Sequence, residues 1–484
     1  MLILLTGANG YIGMRLLPVL VEAGHDVTCI VRDSKRFSPQ PHLLDKISVI
    51  EFDFLKDEII LPVFKGKQFH AAYYLIHSLN DQHGALVENE KQSAERFIEV
   101  CSLTQVKQII YLGGITNAAH LSPHLAARKT VKDILCKSGI PYTIFEAGII
   151  VGSGSASFEI IRDLVEKLPV MIAPRWLNTK CQPIAIRNVI LYLSSCLLNE
   201  KTLNKIFEIG GPNVLTYKQM LLEFGKVRSI KRYIITLPIS SHTTSAYFIY
   251  FVTSANLALA KQLIKSMQDN IVVKDNSVQL IIPQYLFTYG EAIAMAFKKI
   301  EQNMVVSSWK DAASSSLTNL DINEYIVVPH YGCYQDRKWV EIDENKIEEV
   351  AERFFGIGGS NGWYYADLLW HIRGLIDKLF GGVGLGRGRR SESEIQPGDA
   401  LDFWRVLLVD HKNHRLLLFA EMKLPGEAWL EFSIVRNKYR CILTQTATFR
   451  PHGVAGRNYW YFMLPFHYFI FRNMINRIAG LSKV

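Results

Sequence analysis

Three glycines near the start of the chain have the spacing of a phosphate-binding turn. The segment TGANGYIG runs from position 6 to position 13, with glycine at positions 7, 10 and 13. The first glycine permits a tight turn, the second lets backbone N–H groups approach a pyrophosphate, and the third lets the following helix pack closely on the strand. We therefore predict that a nicotinamide dinucleotide is bound by Thr6, Gly7, Gly10, Tyr11, Ile12 and Gly13.

The residues after the second apolar run bear on which dinucleotide binds. They read VRDSKR, so Arg32 stands at or beside the position where an NAD site carries an acid for the ribose hydroxyl. A guanidinium forms charge-assisted hydrogen bonds with the 2′-phosphate of NADP, whereas a carboxylate repels it. Asp33 keeps NAD as the alternative, because a shift of one residue places an acid at the site. The sequence favours NADP(H).

The glycine turn lies in a regular alternation of apolar runs and helical patterns. Apolar runs occupy residues 2–6, 26–31, 47–52, 71–76, 108–113 and 142–147, and the clearest helical patterns span 87–103 and 122–138. Strands that are apolar almost throughout and separated by helices predict a parallel sheet covered on both faces. Asp53 follows the third run, where it either reaches the adenine edge or caps a turn.

Further stretches carry a resemblance to a known superfamily. They include YYLIHSL (73–79), IIYLGGI (109–115), LSPHLAARK (121–129) and FEIGGPNVLTY (207–217). With the glycine turn, they make the chain similar to the extended and atypical short-chain dehydrogenases/reductases. It more closely resembles a bacterial group that fuses such an NAD(P)-binding domain to a C-terminal domain of unknown function, DUF2867. The resemblance implies an α/β fold over residues 1–304, a Rossmann doubly wound parallel sheet with a small substrate subdomain at about 150–304.

The residues that this superfamily uses for proton transfer are mostly replaced. Leu125 stands where the resemblance implies a tyrosine, and Gly113 stands where it implies a serine. Lys129 remains as the catalytic candidate, both as a ligand of the nicotinamide ribose and as an acid/base. The candidates for an auxiliary proton donor are His77, His120 and His124.

Two functions therefore stay open. The first is an oxidoreductase that transfers hydride to a lipophilic carbonyl or quinone-like acceptor. The second is a non-catalytic NADPH-binding redox sensor or assembly factor for a respiratory or membrane complex, as a resemblance to NmrA-like regulators and to an accessory subunit of respiratory complex I implies. The segment GSGSASFEIIR (152–162) is expected on the substrate side, with a helix N-terminus that could hold an anion.

The second half of the chain has a different pattern. Residues 305–320 are rich in Ser, Ala and Thr and are predicted to be a linker to a domain over 321–484. A helical pattern over 364–380, several strand-like runs joined by short turns, and a last helix from about Phe466 to Ile478 predict an antiparallel sheet around a C-terminal helix. This α+β arrangement is the helix-grip (START-like) fold that the resemblance implies, with an apolar cavity for a hydrophobic small molecule.

Aromatic residues of this half either line that cavity or form an ordinary core; they are Trp404, Trp429, Phe432, Trp460, Phe466 and Phe469. The loop after the first helical pattern carries three arginines, which either hold an anionic head group or lie in a solvated turn; they are Arg387, Arg389 and Arg390.

The length and composition of the chain indicate its domain number and exclude several classes of function. A chain of 484 residues with 49% hydrophobic residues predicts two globular domains, and the net charge of +9 is spread among acids. Neither nucleic-acid motifs nor metal-ligand spacings are found, and seven scattered cysteines are typical of a reduced, cytoplasmic protein. The aromatic stretch 459–471 is too short to span a membrane and is expected to be broken at Pro465, which leaves peripheral contact with the inner membrane open. The oligomeric state is not predicted.

Overall fold

The computed structural model divides the chain into two compact units, Met1–Trp309 (unit 1) and Lys310–Val484 (unit 2). It describes residues 1–34, 41–57, 61–76, 86–117, 122–237, 269–301, 333–385, 394–437 and 440–481, with isolated residues between these ranges. The predicted linker 305–320 lies outside the described residues, as do His77, His120, Arg387 and Arg390.

A parallel sheet forms the centre of unit 1. Its strands are β1 (Leu2–Thr6), β2 (Asp26–Val31), β3 (Ile47–Glu51), β4 (Ala71–Tyr74), β5 (Gln108–Gly114), β6 (Tyr142–Ala147) and β11 (Lys205–Ile209). Among the described residues their order is β11-β6-β5-β4-β1-β2-β3, and each neighbouring pair is parallel. This is the strand order of a doubly wound dinucleotide-binding sheet, with one strand added at an edge.

Helices cover both faces of this sheet. The helices that the structure describes in unit 1 are α1 (Gly13–Glu22), α2 (Leu61–Phe64), α3 (Leu86–Leu103), α4 (Pro123–Cys136), α5 (Ala156–Lys167), α6 (Ile186–Ser195), α7 (Tyr217–Val227), α8 (Val278–Ile281) and α9 (Tyr289–Glu301). The pair α1 and α6 packs on one face, and α3 and α4 pack on the other. Helix α4 begins as predicted, since Ser122 accepts a hydrogen bond from the Leu125 N–H and Pro123 is its first residue. The predicted α/β doubly wound fold is confirmed.

Short strand pairs and three helices form a second layer of unit 1. The parallel pairs are β7 (Ile150–Val151) with β10 (Ile184–Ala185) and β8 (Val170–Pro174) with β13 (Tyr233–Leu237); β9 (Lys180–Cys181) and β12 (Leu215–Thr216) are antiparallel. Helices α5, α7 and α9 meet at Phe158, Phe224 and Phe297, whose ring centroids lie 5.4–5.5 Å apart.

Unit 2 is built on an antiparallel sheet. Its strands are β14 (Tyr334–Ile342), β15 (Ala400–Leu401), β16 (Trp404–Asp410), β17 (Arg415–Ala420), β18 (Gly426–Asn437) and β19 (Arg440–Pro451), and their order in the described chain is β14-β19-β18-β17-β16-β15. The helices are α10 (Ile347–Phe355), α11 (Asp367–Leu379) and α12 (Gly453–Ile478). Phe471, Met474 and Ile475 of α12 pack into the core against the sheet, which confirms the predicted antiparallel α+β domain with a C-terminal helix. Strand β14 and helix α10 were not predicted.

Two predictions about α12 are wrong. The helix begins at Gly453 and continues through Pro465, whereas a break at that proline and a start near Phe466 were expected. Proline removes the hydrogen bond to the carbonyl of Tyr461, but both residues are exposed, so water can replace that bond. The same helix turns Phe466 and Phe469 outward, so neither ring lines an internal space. Among the described residues, no helix is both long enough and apolar enough to cross a bilayer.

The other four aromatic residues divide between the two faces of the sheet. Trp404 and Phe432 belong to the core beneath α12, and Trp460 is buried between Tyr334 and Phe449. Trp429 packs on the opposite face with Phe419, so it cannot line the same space. Side-chain direction alternates along a strand, and the register that assigns each residue to a face depends on strand pairing, which the sequence pattern does not specify.

Candidate dinucleotide site

The three glycines form the predicted turn between β1 and α1. Gly7 has a φ of +66°, and a Cβ atom there would lie 2.5 Å from the Leu75 carbonyl oxygen. A Cβ atom at Gly13 would lie 2.3 Å from the Gly7 carbonyl oxygen, so the helix can start this close to the turn only with glycine. The Gly10 N–H donates to the same oxygen at 2.9 Å. The sequence had therefore assigned the steric roles of Gly7 and Gly13 correctly.

Two backbone donors of this turn remain open. The N–H groups of Tyr11 and Ile12 donate to no residue that the structure describes, and they lie at the N-terminus of α1. Unpaired N–H groups at a helix start are suited to an anion such as a pyrophosphate. Ile12 also packs its side chain against the core beneath the helix.

The side chain of Tyr11 points away from the solvent. The Arg15 guanidinium lies 3.9 Å from its ring centroid and donates to the carbonyl oxygens of Tyr11 (2.9 Å) and Ser153 (2.7 Å). A Cβ atom at Gly152 would approach the Tyr11 hydroxyl to 2.6 Å. Burial raises the pKa of Tyr11, while Arg15 and Ser155 lower it. Tyr11 therefore connects the glycine turn to the 152–155 segment, and its hydroxyl stays protonated at neutral pH.

Thr6 has a structural role in the fold. Its hydroxyl donates to the Tyr73 carbonyl oxygen at 2.9 Å and accepts from the Leu75 N–H at 3.2 Å. Both residues belong to or follow the neighbouring strand β4, so Thr6 fixes the end of that strand beside the glycine turn. A dinucleotide would meet the backbone of Thr6 and not its buried side chain.

Arg32 and Asp53 follow two neighbouring strands. Arg32 comes directly after β2; it is exposed and forms no ion pair with a described residue. Since β1 and β2 are parallel neighbours, Arg32 and the glycine turn lie at the same edge of the sheet. Asp53 caps its own turn, because its Oδ1 accepts from the Leu55 N–H at 3.0 Å. Of the two roles predicted for Asp53, this hydrogen bond corresponds to the capping of a turn.

Lys129 and the missing tyrosine lie on the α4 helix beside β5. Lys129 is exposed and has no hydrogen bond or ion pair among the described residues. Leu125, one turn earlier, is buried, and its Cδ2 would lie 2.8 Å from a Cβ atom at Gly114. A hydrocarbon side chain thus occupies the position of the expected proton donor. Tyr111 of β5 offers no replacement, because burial raises its pKa to about 12.

A polar cluster that the sequence did not predict lies one turn beyond Lys129. The Lys132 ammonium donates to Thr116 Oγ1 and to Glu146 Oε1, each at 2.8 Å. Thr116 follows β5, and Glu146 is almost completely buried near the end of β6, directly beside Gly113. A signal was present in the sequence, since a glutamate within the apolar run YTIFEA must be paired when buried. This cluster holds an ammonium group at the carboxyl edge of the sheet.

A second polar contact extends the cluster to the edge strand. Glu208 of β11 pairs with Glu146 across the sheet, and its Oε1 accepts from the Asn117 side chain at 2.9 Å. Its Oε2 accepts from the Lys274 N–H at 2.6 Å. The segment after β5 is therefore held from two strands, which fixes the backbone close to where the nicotinamide end of a dinucleotide is expected.

Side-chain oxygens accept hydrogen bonds from two backbone donors at the start of the 152–162 segment. Ser155 accepts a hydrogen bond from the Phe158 N–H at 3.3 Å, and Glu159 accepts from the Gly154 N–H at 3.2 Å. A Cβ atom at Gly152 would clash with Ile186. The start of α5 is thus capped by its own side chains, and its glycine serves close packing. His124 lies half-buried in the first turn of α4.

Two protein families match the chain. The NAD(P)H-binding family matches residues 7–166, and the family of unknown function DUF2867 matches residues 332–474. The first match contains the glycine turn, Arg32 and Lys129. Unit 1 contains an NAD(P)H-binding domain, and unit 2 contains a DUF2867 domain. No protein of curated function matches the chain. The expected combination of domains is therefore confirmed.

Solved structures similar to the chain come from several bacteria. The Bordetella bronchiseptica enzyme WbmG in complex with NAD aligns at 13% identity with a TM-score of 0.50, covering 63% of this chain and 96% of that one. The Thermotoga maritima UDP-glucose 4-epimerase aligns at 13% identity with a TM-score of 0.49, covering 63% of this chain and 100% of that one. A Staphylococcus aureus nucleoside-diphosphate-sugar epimerase aligns at 17% identity with a TM-score of 0.49, covering 60% of this chain and 99% of that one. At these identities the similarity to WbmG establishes a shared fold.

Proposed function

We propose that unit 1 binds NADP(H) and acts as an oxidoreductase. The observation that supports this most directly is the combination of the open Tyr11 and Ile12 N–H groups with the exposed, unpaired Arg32 at the same edge of the sheet. The N–H groups receive the pyrophosphate, and the guanidinium receives the 2′-phosphate on the adenosine side. The nicotinamide end then extends toward Gly113 and α4.

Titration calorimetry with NADPH and NADH tests the cofactor. We expect tighter binding of NADPH, and we expect Arg32→Ala to weaken it by about 10- to 100-fold because a charge-assisted contact is lost. NADH binding should change little. Lys46→Ala is the matched control, because Lys46 is exposed but precedes β3 and so lies at the opposite edge of the sheet. Equal affinity for the two coenzymes, unchanged in Arg32→Ala, would disprove the 2′-phosphate contact.

The reaction that we propose is hydride transfer to a lipophilic carbonyl or quinone-like acceptor. NADPH supplies the hydride, and a protein group must supply a proton to the acceptor oxygen. Lys129 is the candidate, with its ammonium exposed on α4 and one turn from Leu125. The half-buried Lys132, held by Thr116 and Glu146, stabilises negative charge on the same side of the helix.

Turnover assays with a panel of quinones and aldehydes test this reaction. We expect Lys129→Met to lower kcat with either coenzyme, while NADPH still binds. Lys137→Met is the control, since Lys137 follows the C-terminus of α4, far from the carboxyl edge of the sheet. Unchanged turnover in Lys129→Met would remove its assigned role.

The position of Leu125 favours a second candidate function, a non-catalytic NADPH-binding redox sensor or assembly factor. A leucine packed on Gly114 cannot exchange a proton with a substrate. For this function we expect NADPH to bind at one per chain and to remain unoxidised throughout the acceptor panel. Any acceptor-dependent NADPH oxidation that Lys129→Met abolishes would decide in favour of the enzyme.

We also propose that unit 2 holds a small apolar molecule with a hydrogen-bonding group. Three buried polar atoms on its inner side have no hydrogen-bond partner among the residues that the structure describes: Asp336 Oδ2, Gln445 Oε1 and His467 Nδ1. Asp336 and Gln445 lie on β14 and β19 beneath α12, and Gln445 also contacts Met474 of that helix. Buried acceptors without partners are costly unless a donor reaches them. A ligand carrying O–H or N–H groups would supply one.

Native mass spectrometry of the purified chain tests this ligand. We expect a retained small molecule, and we expect Gln445→Leu to reduce the bound fraction. Thr444→Val is the matched control, because Thr444 is equally buried and lacks a partner but points to the opposite face of β19. A chain that retains nothing, with ordered water at the three atoms in a crystal structure, would contradict the proposal.

A further inference from the structure

Helix α11 of unit 2 has apolar side chains on the side that faces away from the core. Its buried residues Trp370, Gly374, Asp377 and Lys378 lie on one side of the helix. The opposite side carries exposed apolar residues at helical spacing: Leu368, Ile372, Leu375, Ile376, Leu379 and, just beyond the helix, Phe380. Leu368 and Phe380 are each 73% exposed. A helix on the surface of a soluble domain normally has polar residues on this side.

Helix α12 has an outward face of similar character. Its exposed aromatic residues are Tyr461, Phe462, Phe466, Tyr468 and Phe469, and Phe462 is 69% exposed. They alternate with the buried positions Trp460, Ile470 and Phe471, so the helix is apolar on both sides. Aromatic rings with one polar atom, as in tyrosine, are typical of the boundary between water and lipid.

The two helices contact each other near the start of α11. Trp370 of α11 stacks on Phe471 of α12 with 6.5 Å between ring centroids, and Tyr365, just before α11, contacts Phe469 at 5.5 Å. We call the exposed apolar residues of both helices the apolar surface of unit 2. The largest apolar patches on soluble monomers reach ~300–600 Å² and are often functional. This surface contains eleven large side chains that are 41–73% exposed, and six of them are aromatic rings.

The charges around this surface are mainly positive; the exposed acid of α11 is Asp367, whose Oδ1 accepts from the Trp363 N–H at 2.9 Å. Helix α12 contains three exposed arginines, Arg457, Arg472 and Arg477, and neither aspartate nor glutamate. Arg472 lies among the outward aromatic residues, and its Nη1 donates to the Tyr468 hydroxyl at 2.7 Å. The Lys423 ammonium lies beside Gly381 at the far end of α11. On α11 the acid Asp377 is buried, where it accepts from the N–H groups of Gly384 and Lys423.

We propose that the apolar surface of unit 2 docks on an anionic lipid bilayer, with α11 and α12 lying in the plane of the interface. Apolar and aromatic side chains enter the boundary between head groups and acyl chains, while arginines at the rim pair with lipid phosphates. This assigns a partner to both helices, of which the sequence had suggested only part of α12.

Charge complementarity favours a bilayer over a second copy of the chain. If two copies met through this surface, each would bring the three arginines of α12 into an interface to which α12 adds no carboxylate and α11 adds one exposed carboxylate, Asp367. Like charges brought together at an interface oppose association. An anionic lipid surface supplies the missing negative charge and also has room for flat, aromatic contacts.

Flotation of the full chain with vesicles tests the docking surface. We expect it to float with vesicles of phosphatidylcholine mixed with phosphatidylglycerol, less with phosphatidylcholine alone, and less at high salt. Leu379→Glu should lower the bound fraction at least about tenfold, since a charge replaces an inserted apolar group. Leu280→Glu is the matched control: Leu280 in unit 1 is 89% exposed, and the same substitution there should leave flotation unchanged.

A second variant separates the electrostatic contribution. Arg472→Glu should reduce flotation with the anionic vesicles by about tenfold and flotation with phosphatidylcholine alone much less. Leu379 and Arg472 are both exposed, so the circular dichroism spectrum and the thermal unfolding midpoint should be unchanged in each variant. If neither substitution alters flotation, the proposal fails. It is also overturned if the chain ignores vesicles and sedimentation shows a dimer that Leu379→Glu dissociates.

Discussion

The two units place polar groups in opposite ways. In unit 1 the candidate site lies at the edge of a parallel sheet and is formed mainly by backbone, with glycines at 7, 10 and 13 and open N–H groups at 11 and 12. In unit 2 the polar groups are side chains on the faces of an antiparallel sheet, such as the buried Arg405 and Glu421. A backbone site tolerates many side-chain changes but few at its glycines, whereas a side-chain site depends on each partner being present.

The largest expected effect is the loss of one partner of the buried pair in unit 2. Arg405 Nε and Nη2 donate to the two Glu421 oxygens at 3.0 and 3.2 Å, and Nη1 donates to the Gly398 carbonyl. Arg405→Met removes both of these hydrogen bonds and the positive charge beside the buried Glu421 carboxylate, which should lower the free energy of unfolding of unit 2 by about 3–5 kcal/mol. Tryptophan fluorescence reports on this unit, because it contains six of the eight tryptophans.

The double variant Arg405→Met with Glu421→Leu sharpens this test. Removing both charges should restore most of the lost stability, since two apolar side chains of similar size need no partner. NADPH binding by unit 1 should be normal in both variants. If NADPH affinity fell with the stability of unit 2, the contrast between the units would be wrong.

The next effect depends on pH. Burial lowers the pKa of His467 to about 4, from an ordinary value of 6.5. The unfolded chain binds this proton more readily than the folded chain does. The stability that the neutral ring contributes is therefore fully present above the pKa of the unfolded chain and is lost as the pH falls toward the pKa of the folded chain. We expect unit 2 to lose about 3 kcal/mol of stability between pH 7 and pH 4 from this group. Urea unfolding followed by tryptophan fluorescence measures it.

His467→Phe is the variant that isolates this contribution. The ring packs between Trp460 and Phe471, so phenylalanine fits the same space without titrating. The fall in stability over that pH range should be smaller in the variant. His371→Phe, at an exposed histidine of α11, should leave the fall as it is. A variant that is as acid-sensitive as the parent would refute the assignment.

A smaller effect is expected at the glycine turn of unit 1. Gly13→Ala places a methyl group against the backbone at 2.3 Å, which should cost about 1–3 kcal/mol and abolish dinucleotide binding by widening the turn. Gly24→Ala is the control, because Gly24 follows the opposite end of α1 and has no atom within 4 Å of its Cβ position. The Gly24→Ala variant should be destabilised only by the strain of alanine at a positive φ, and it should still bind NADPH. Calorimetry with NADPH distinguishes the two.

The smallest effect is expected at the proline inside α12. Pro465→Ala restores a helical hydrogen bond, and we expect it to raise the stability of unit 2 by about 1 kcal/mol, because the flexible unfolded chain offsets part of the gain. Pro18→Ala is the matching change inside α1 and should stabilise unit 1 instead. A loss of stability in Pro465→Ala would show that the proline fits the helix better than alanine.

Some of this structure could be predicted from short sequence patterns. The glycine turn, the strand β1 and the Ser122–Pro123 start of α4 are local features, in which the residues that determine the conformation are adjacent in the chain. The same holds for the position of Arg32 directly after β2. By contrast, the pairing of Lys132 with Glu146 joins residues 14 apart on different elements, and only the register of β5 and β6 places them together.

The sequence by itself determined the fold class of both units, the dinucleotide turn and the absence of a tyrosine before Lys129. Only the tertiary structure decided that Pro465 lies within a helix, that Phe466 and Phe469 face outward, and that α11 has an apolar outer side. The physical reason is that hydrophobic periodicity records how much apolar surface a helix has. Which part of that surface the sheet covers depends on how the elements pack.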